Sequence, residues 1–340
     1  MHTSSERGFS LIELLVSTCV LLLIMGAVMT AMRQQTQQQQ TIWNRTEMHS
    51  GVRGATELMQ QEIGQAGRVA SPVPITLQAA APASATCNPA NPATNAATVA
   101  VNPVATASVA QLWANPGAYA LLTTLDGPNR ETVQLSAFNA AVNPPTISAC
   151  FLQTHAAGTT IDVEGAFGSG IIPPAPGVVP GFAGVANGST PTVLKMFGDI
   201  NGDGNLVYVE YTCNTNPGIN KLYRNSMAFN AAAKPALSDA VVLLNNIQPD
   251  PGGLPGCFTY QVATPIAIQG QQVGFVLDVA ITLTIQTQLR DPVTKQFQQE
   301  TKALLNVSPR NVFNAWLLAQ GLYTDRVQST PATVSALMAM

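Results

Sequence analysis

The chain opens on a polar leader, Met1 to Gly8, and turns apolar from Phe9 to Met32, with Glu13 the one charged residue in that run. Leu14 to Met32 is nineteen residues without a charge. As a helix this stretch would be about 28 Å long, close to the thickness of a bilayer's hydrocarbon core. Gln34 to Gln40 is polar, free of proline and helix-forming. Met48, Val52, Ala55, Met59, Ile63 and Ala66 then recur at three- and four-residue steps with Leu58 alongside, a stripe suited to packing on a globular domain. Gly64 and Gly67 weaken the end of this pattern, and Pro72 and Pro74 forbid its continuation. The pattern therefore predicts one helix over 9–67, membrane-spanning over 9–32 and core-forming in its second half.

Past that helix the pattern changes. Residues 68–118 are rich in Ala, Pro, Asn and Thr and read as a long irregular insertion. Strand-like runs follow at Tyr119–Leu125, Glu131–Phe138, Thr146–Leu152, Thr192–Phe197, Leu206–Cys213, Lys221–Asn225, Ala240–Ile247 and Cys257–Ala263. The longest, Gly274 to Leu289, alternates apolar and polar with one slip after Leu277, and Asp291-Pro292 turns it back into Gln296–Val307. The Gly/Pro-rich stretch Gly165 to Pro191 reads as a surface excursion. Pro309 to Leu322 reads as a short helix, and the uncharged apolar tail to Met340 is suited either to docking on a neighbouring subunit or to fraying. One long helix followed by antiparallel strands is an α+β arrangement, divided as a leader (1–8), the helix (9–67), a β-rich domain (68–308) and a C-terminal helix and tail (309–340).

Only 10% of the residues are charged and the net charge is −3. The five Lys and ten Arg are scattered, which argues against a nucleic-acid partner. Of five cysteines, Cys19 lies in the apolar run; Cys87, Cys150, Cys213 and Cys257 lie beyond it. An even count outside the span reads as two disulfides in an exported region, with three pairings open. Spacing favours Cys87 with Cys150 and Cys213 with Cys257.

Gly8-Phe9-Ser10-Leu11-Ile12-Glu13-Leu14 resembles the processing site of type IV prepilins and related pseudopilins. The resemblance implies cleavage by a prepilin peptidase between Gly8 and Phe9, N-methylation of Phe9, and a role for Glu13 in setting subunit register by offsetting the positive N-terminus of a neighbour. It also implies a pilin-like domain, partners among other pilins and an inner-membrane assembly platform. The expected location is the bacterial inner membrane before assembly and a cell-surface pilus after it. Glu57-Leu58-Met59-Gln60-Gln61-Glu62-Ile63-Gly64-Gln65-Ala66-Gly67 is similar to the helix end of PilW-type minor pilins. Asn306-Val307-Ser308-Pro309-Arg310-Asn311 is similar to the last-strand end of those pilins and of J-type pseudopilins. A minor pilin that initiates or caps assembly is the first expectation. A type II secretion pseudopilin and a calcium-dependent surface adhesin carried on a filament are the alternatives.

One stretch carries metal chemistry. Asp199, Asn201, Asp203, Asn205 and Glu210 fall at positions one, three, five, seven and twelve of a calcium loop. The competing reading is a Gly/Asn/Asp hairpin turn, since Leu206 to Cys213 is a strand pattern on which Glu210 does not curl back. His2, His49 and His155 are isolated in sequence and no phosphate-binding glycine motif occurs, so no enzyme is expected.

Overall fold

A computed structural model describes residues 10–69, 75–84, 86–88, 94–102, 121–139, 142–162, 167–203, 205–253, 256–268, 271–323 and 327–340. The first element is the helix α1 (Leu11–Gln65). It contains no proline, and its fifty-five residues would extend about 83 Å. Val52, Ala55, Met59 and Ile63 are buried at three- and four-residue steps, as the sequence pattern predicts. The chain forms two compact units, 1–51 with 286–300 and 52–285 with 301–340.

In the first unit, the turn after the long hairpin strand meets the middle of α1. Thr41 donates to Asp291 Oδ2 at 2.9 Å, Arg45 donates to Gln298, and His49 Nδ1 lies 2.6 Å from Glu300. Asp291 also accepts the backbone N–H groups of Val293 and Thr294, each at 2.8 Å. Those bonds, Thr294's above all, hold its carboxyl below the usual range. The Asp291-Pro292 turn is thus pinned by its own aspartate.

The second unit is built from sheets. A closed barrel of order β1-β2-β5-β4-β3-β6 comes first, from β1 (Ile75–Leu77), β2 (Ala97–Asn102), β3 (Leu121–Thr124), β4 (Thr132–Asn139), β5 (Thr146–Ala149) and β6 (Thr160–Asp162). β7 (Phe167–Gly168) leads to an antiparallel sheet of order β11-β10-β9-β8, from β8 (Val193–Gly198), β9 (Val207–Asn214), β10 (Lys221–Ala228) and β11 (Val242–Asn245). β12 (Ile247–Gln248), β13 (Phe258–Val262), the two-stranded β14 (Ile266–Ile268) and β15 (Gln271–Val273), β16 (Val276–Gln286) and β17 (Gln299–Val307) follow. β16 pairs with β12, β13 and β17. The slip after Leu277 has a structural counterpart: pairing with β13 steps from Asp278 to Val276, so Leu277 is the extra residue of a bulge.

Side chains alternate across the sheet formed by β8 to β11. Tyr211 and Arg224 face α1 through Glu62. Phe197, Tyr208 and Met227 face the other way, into a core shared with Ile147, Ile161 and Leu122 of the barrel. α+β describes this mixture, with the closed barrel an addition that no strand pattern in the sequence announced.

Three expectations change. Residues 75–77 and 97–102, inside the stretch read as an irregular insertion, are barrel strands with Leu77 and Val101 buried; short strands among Ala, Asn and Thr carry too little periodicity to be seen. Gly165 to Pro191 is more than a surface excursion: Ser169, Ile171, Ile172 and Ser189 are buried. Its deletion would therefore remove core rather than only a loop. The C-terminal tail packs on its own chain. After α2 (Arg310–Gln320), β18 (Val327–Gln328) pairs parallel with β7. α3 (Ala332–Ala339) then buries Val334, Leu337 and Met338 in the same core, with Lys195 Nζ 3.2 Å from the Met338 carbonyl.

Candidate functional site

The helix begins on a reciprocal cap. Ser10 Oγ accepts from the Ile12 N–H at 3.3 Å, and the Ser10 N–H donates to Glu13 Oε2 at 3.0 Å. This is a capping box, Ser-x-x-Glu, which satisfies backbone donors that a helix start leaves open and puts a carboxylate at the positive end of the dipole. The signature stands in the sequence beside the apolar run. Glu13 therefore has a local role in addition to the register role that the resemblance implies. Gly8 and Phe9, the expected processing residues, lie outside the described residues.

From Leu11 to Met32 the helix is exposed on every side in the isolated chain. Two of its hydroxyls are satisfied locally: Thr18 Oγ1 donates to the Leu14 carbonyl at 3.0 Å and Thr30 Oγ1 to that of Gly26 at 2.8 Å. Internal satisfaction of this kind is what hydrocarbon demands of a helix. The helix is long and apolar enough to cross a membrane.

The other end of α1 is tied down by buried polar chemistry. Glu62, 4% exposed, accepts from Arg224 Nε at 3.0 and 3.1 Å, from Arg224 Nη2, and from the Tyr211 hydroxyl. Burial, then the Glu62 carboxylate, pushes the Tyr211 phenol far above its usual range. At the helix terminus, Asn311 Nδ2 donates to the Gln65 carbonyl at 3.0 Å. The Gly67 N–H donates to the Phe197 carbonyl at 2.9 Å, and a Cβ on Gly67 (φ +82°) would sit 2.8 Å from the Gly168 carbonyl oxygen. Only glycine allows that approach. A cleft of about 570 Å³ lies beside this end, lined by Gln61, Gln65, Leu304, Asn306, Val307 and Arg310 among others.

The structure separates the five calcium-loop residues into two groups. Asn201, Asp203 and Asn205 lie in the exposed turn between β8 and β9, where Asp203 Oδ1 accepts from the Asn205 N–H at 2.9 Å. Asp199 is fully buried at its root, 3.6 Å from Arg68. Glu210 lies farther along β9: Val207 pairs with Gly198, whereas Glu210 pairs with Lys195. Three residues of strand put it about 10 Å from the turn. Its carboxylate accepts from Lys234 Nζ at 2.8 Å and from the Tyr208 hydroxyl at 2.9 Å. A twelve-residue calcium loop needs its last residue to fold back, and Glu210 is here engaged by Lys234 and Tyr208 on the strand. Among the described residues, no group of three or more His, Cys, Asp or Glu is arranged to hold a metal.

The four cysteines pair as spacing favours, Cys87 with Cys150 and Cys213 with Cys257. Closing loops of 63 and 44 residues restricts the unfolded chain by about 4 kcal/mol each in the chain-entropy model. Two histidines isolated in sequence are not isolated in space. His49 meets Glu300, and fully buried His155 lies between Asp126 at 2.6 Å and Glu131 at 2.7 Å. Both ring nitrogens are occupied by carboxylates, which leaves neither to activate a nucleophile. No family model, curated protein or solved structure matches the chain.

Proposed function

We propose that the chain is a minor pilin of the PilW type, a structural subunit that enters a type IV pilus through its N-terminal helix and helps to initiate or cap assembly. The observation that carries this reading is the division of α1. Its stretch Leu11–Met32 is apolar and uncovered, and its last residues, from Val52 to Gln65, form part of the core of a disulfide-bonded β-rich unit. A helix bare on all faces needs lipid or other apolar helices around it. A membrane holds it before assembly, and packed helices of neighbouring pilins replace the lipid afterwards. Glu13 then sits at the start of the packed region, where an unpaired carboxylate would cost roughly 2.5–3.5 kcal/mol at the depth of greatest penalty. The positive N-terminus of a neighbour offsets that cost and fixes axial register.

A second observation supports the PilW subclass. The two stretches that resemble PilW-type ends, Glu57–Gly67 and Asn306–Asn311, meet at the Asn311–Gln65 hydrogen bond. The reading predicts a mature chain beginning at N-methylated Phe9, incorporated into filaments and displaying its sheets and barrel outside the cell. Mass spectrometry of the protein from its native membrane tests this: an intact Met1, or a cut after Met32, rules the proposal out.

A further inference from the structure

One register row crosses three strands as Lys195, Glu210 and Asn225: Glu210 of β9 pairs with Lys195 of β8 on one side and Asn225 of β10 on the other. Residues directly opposite one another in a sheet share a face. This face also carries Phe197, Tyr208 and Met227 into the core. All three members of the row are buried, with exposures of 9%, 7% and 1%. Polar groups in an apolar layer are costly, and the filament role gives them nothing to do.

Lys234, from the loop after β10, completes the group. Its Nζ lies 2.8 Å from Glu210 Oε2 and 6.0 Å from the centre of the Tyr208 ring. The next residue, Pro235, accepts a 2.7 Å hydrogen bond from Asn225 Nδ2 through its carbonyl. An amine, a carboxylate and a carboxamide are thus gathered on one desolvated face. Lys195 is turned away, its Nζ held by the carbonyls of Asn187 at 3.0 Å and Met338 at 3.2 Å.

We propose that Lys234 and Asn225 join as an intramolecular isopeptide, with Glu210 carrying the proton. Glu210 acts first as general base, taking a proton from the Lys234 ammonium across their 2.8 Å contact. The Nζ lone pair adds to Asn225 Cγ, Glu210 relays the released proton to Nδ2, the Cγ–Nδ2 bond breaks, and ammonia leaves. One carbon–nitrogen bond forms and one breaks. No electrons change hands, and no co-reactant is needed. The bond would tie the loop after β10 to the sheet, on the face opposite α1, and it does not depend on the filament reading.

The test is mass spectrometry of the full chain, purified in detergent and reduced. The expected result is a mass one ammonia below that calculated for the chain from its observed N-terminus, and a digest containing a branched peptide that joins positions 225 and 234. Lys234→Arg, which keeps the ion pair to Glu210, and Asn225→Ala should each restore the lost mass. A mass with no ammonia missing overturns the proposal. So does an ammonia loss without a branch, which marks cyclisation of an asparagine, or a branch through Lys195.

Discussion

Asn311 donates its side-chain amide to the Gln65 carbonyl across 246 positions of sequence, and so caps the C-terminus of the helix that opens the chain. An open carbonyl at that end would otherwise face solvent or a poor partner. Asn311→Ala should lower stability by about 1 kcal/mol, read as a small drop in denaturant midpoint at unchanged slope. Asn311→Asp, which cannot donate, should do at least as much harm.

Glu62 is the stronger fastening. Glu62→Ala leaves the Arg224 guanidinium half-buried without its carboxylate, and loss of one partner of a buried pair costs about 3 kcal/mol or more. Thermal melts should show a fall in Tm of roughly 6–12 °C. Replacing both, Glu62→Leu with Arg224→Met, should recover most of the loss. If the single and double variants melt together, the ion pair is not what holds the helix end.

The sequence carried these fastenings unevenly. The long helix was legible because apolar residues recur every three or four positions over its second half and without interruption over its first. The bulge at Leu277 was legible as a break in alternation, and the disulfide pairing agreed with spacing. Glu62 looked like one acid among several because its partners, Arg224 and Tyr211, lie about 150 residues away. The barrel was hidden for a related reason: strands of three to six residues such as Ile75–Leu77 and Ala97–Asn102 close only through distant pairings. Ser10 and Glu13 were adjacent enough to be read as a capping box.

His155 should behave as a clamp between two loops. Glu131 also accepts the backbone N–H groups of Leu152 and Gln153, so the carboxylate on that side of the ring is held in place, and Asp126 meets the other nitrogen. His155→Ala would leave Asp126 and Glu131 facing an empty site, at a cost of about 3–5 kcal/mol. Adding Glu131→Gln should restore part of that in a chemical denaturation series, because it removes one of the two uncompensated charges. No recovery would mean that lost packing against Phe151, rather than charge, dominates.

Alkaline titration should resolve two populations among the six tyrosines. Burial pushes the Tyr208, Tyr211 and Tyr260 phenols far above the usual value, and neighbouring Glu210 and Glu62 add to the first two. A folded value above the unfolded one means that this contribution is fully present below about pH 10 and is lost as pH rises above it. Absorbance at the tyrosinate band should therefore show these three ionising only together with loss of near-ultraviolet circular dichroism. Full ionisation before any unfolding would contradict their burial.

Ser10 and Glu13 allow the cap to be separated from assembly. Glu13→Gln keeps an oxygen that can accept from the Ser10 N–H, so the helix start should persist, but it removes the charge that would meet a neighbour's N-terminus. Ser10→Ala removes the hydroxyl that accepts from Ile12, at about 1 kcal/mol of helix stability, and leaves the carboxylate intact. On the minor-pilin reading, Glu13→Gln should cut incorporation into sheared filaments by about tenfold or more, equivalent to roughly 1.4 kcal/mol. Ser10→Ala should stay within about twofold of the parent, since its helix-start cost is shared by free and assembled subunits alike. Membrane levels and the mature N-terminus should be unchanged in both. Equal losses in the two variants would assign Glu13 to helix capping and remove its role in register.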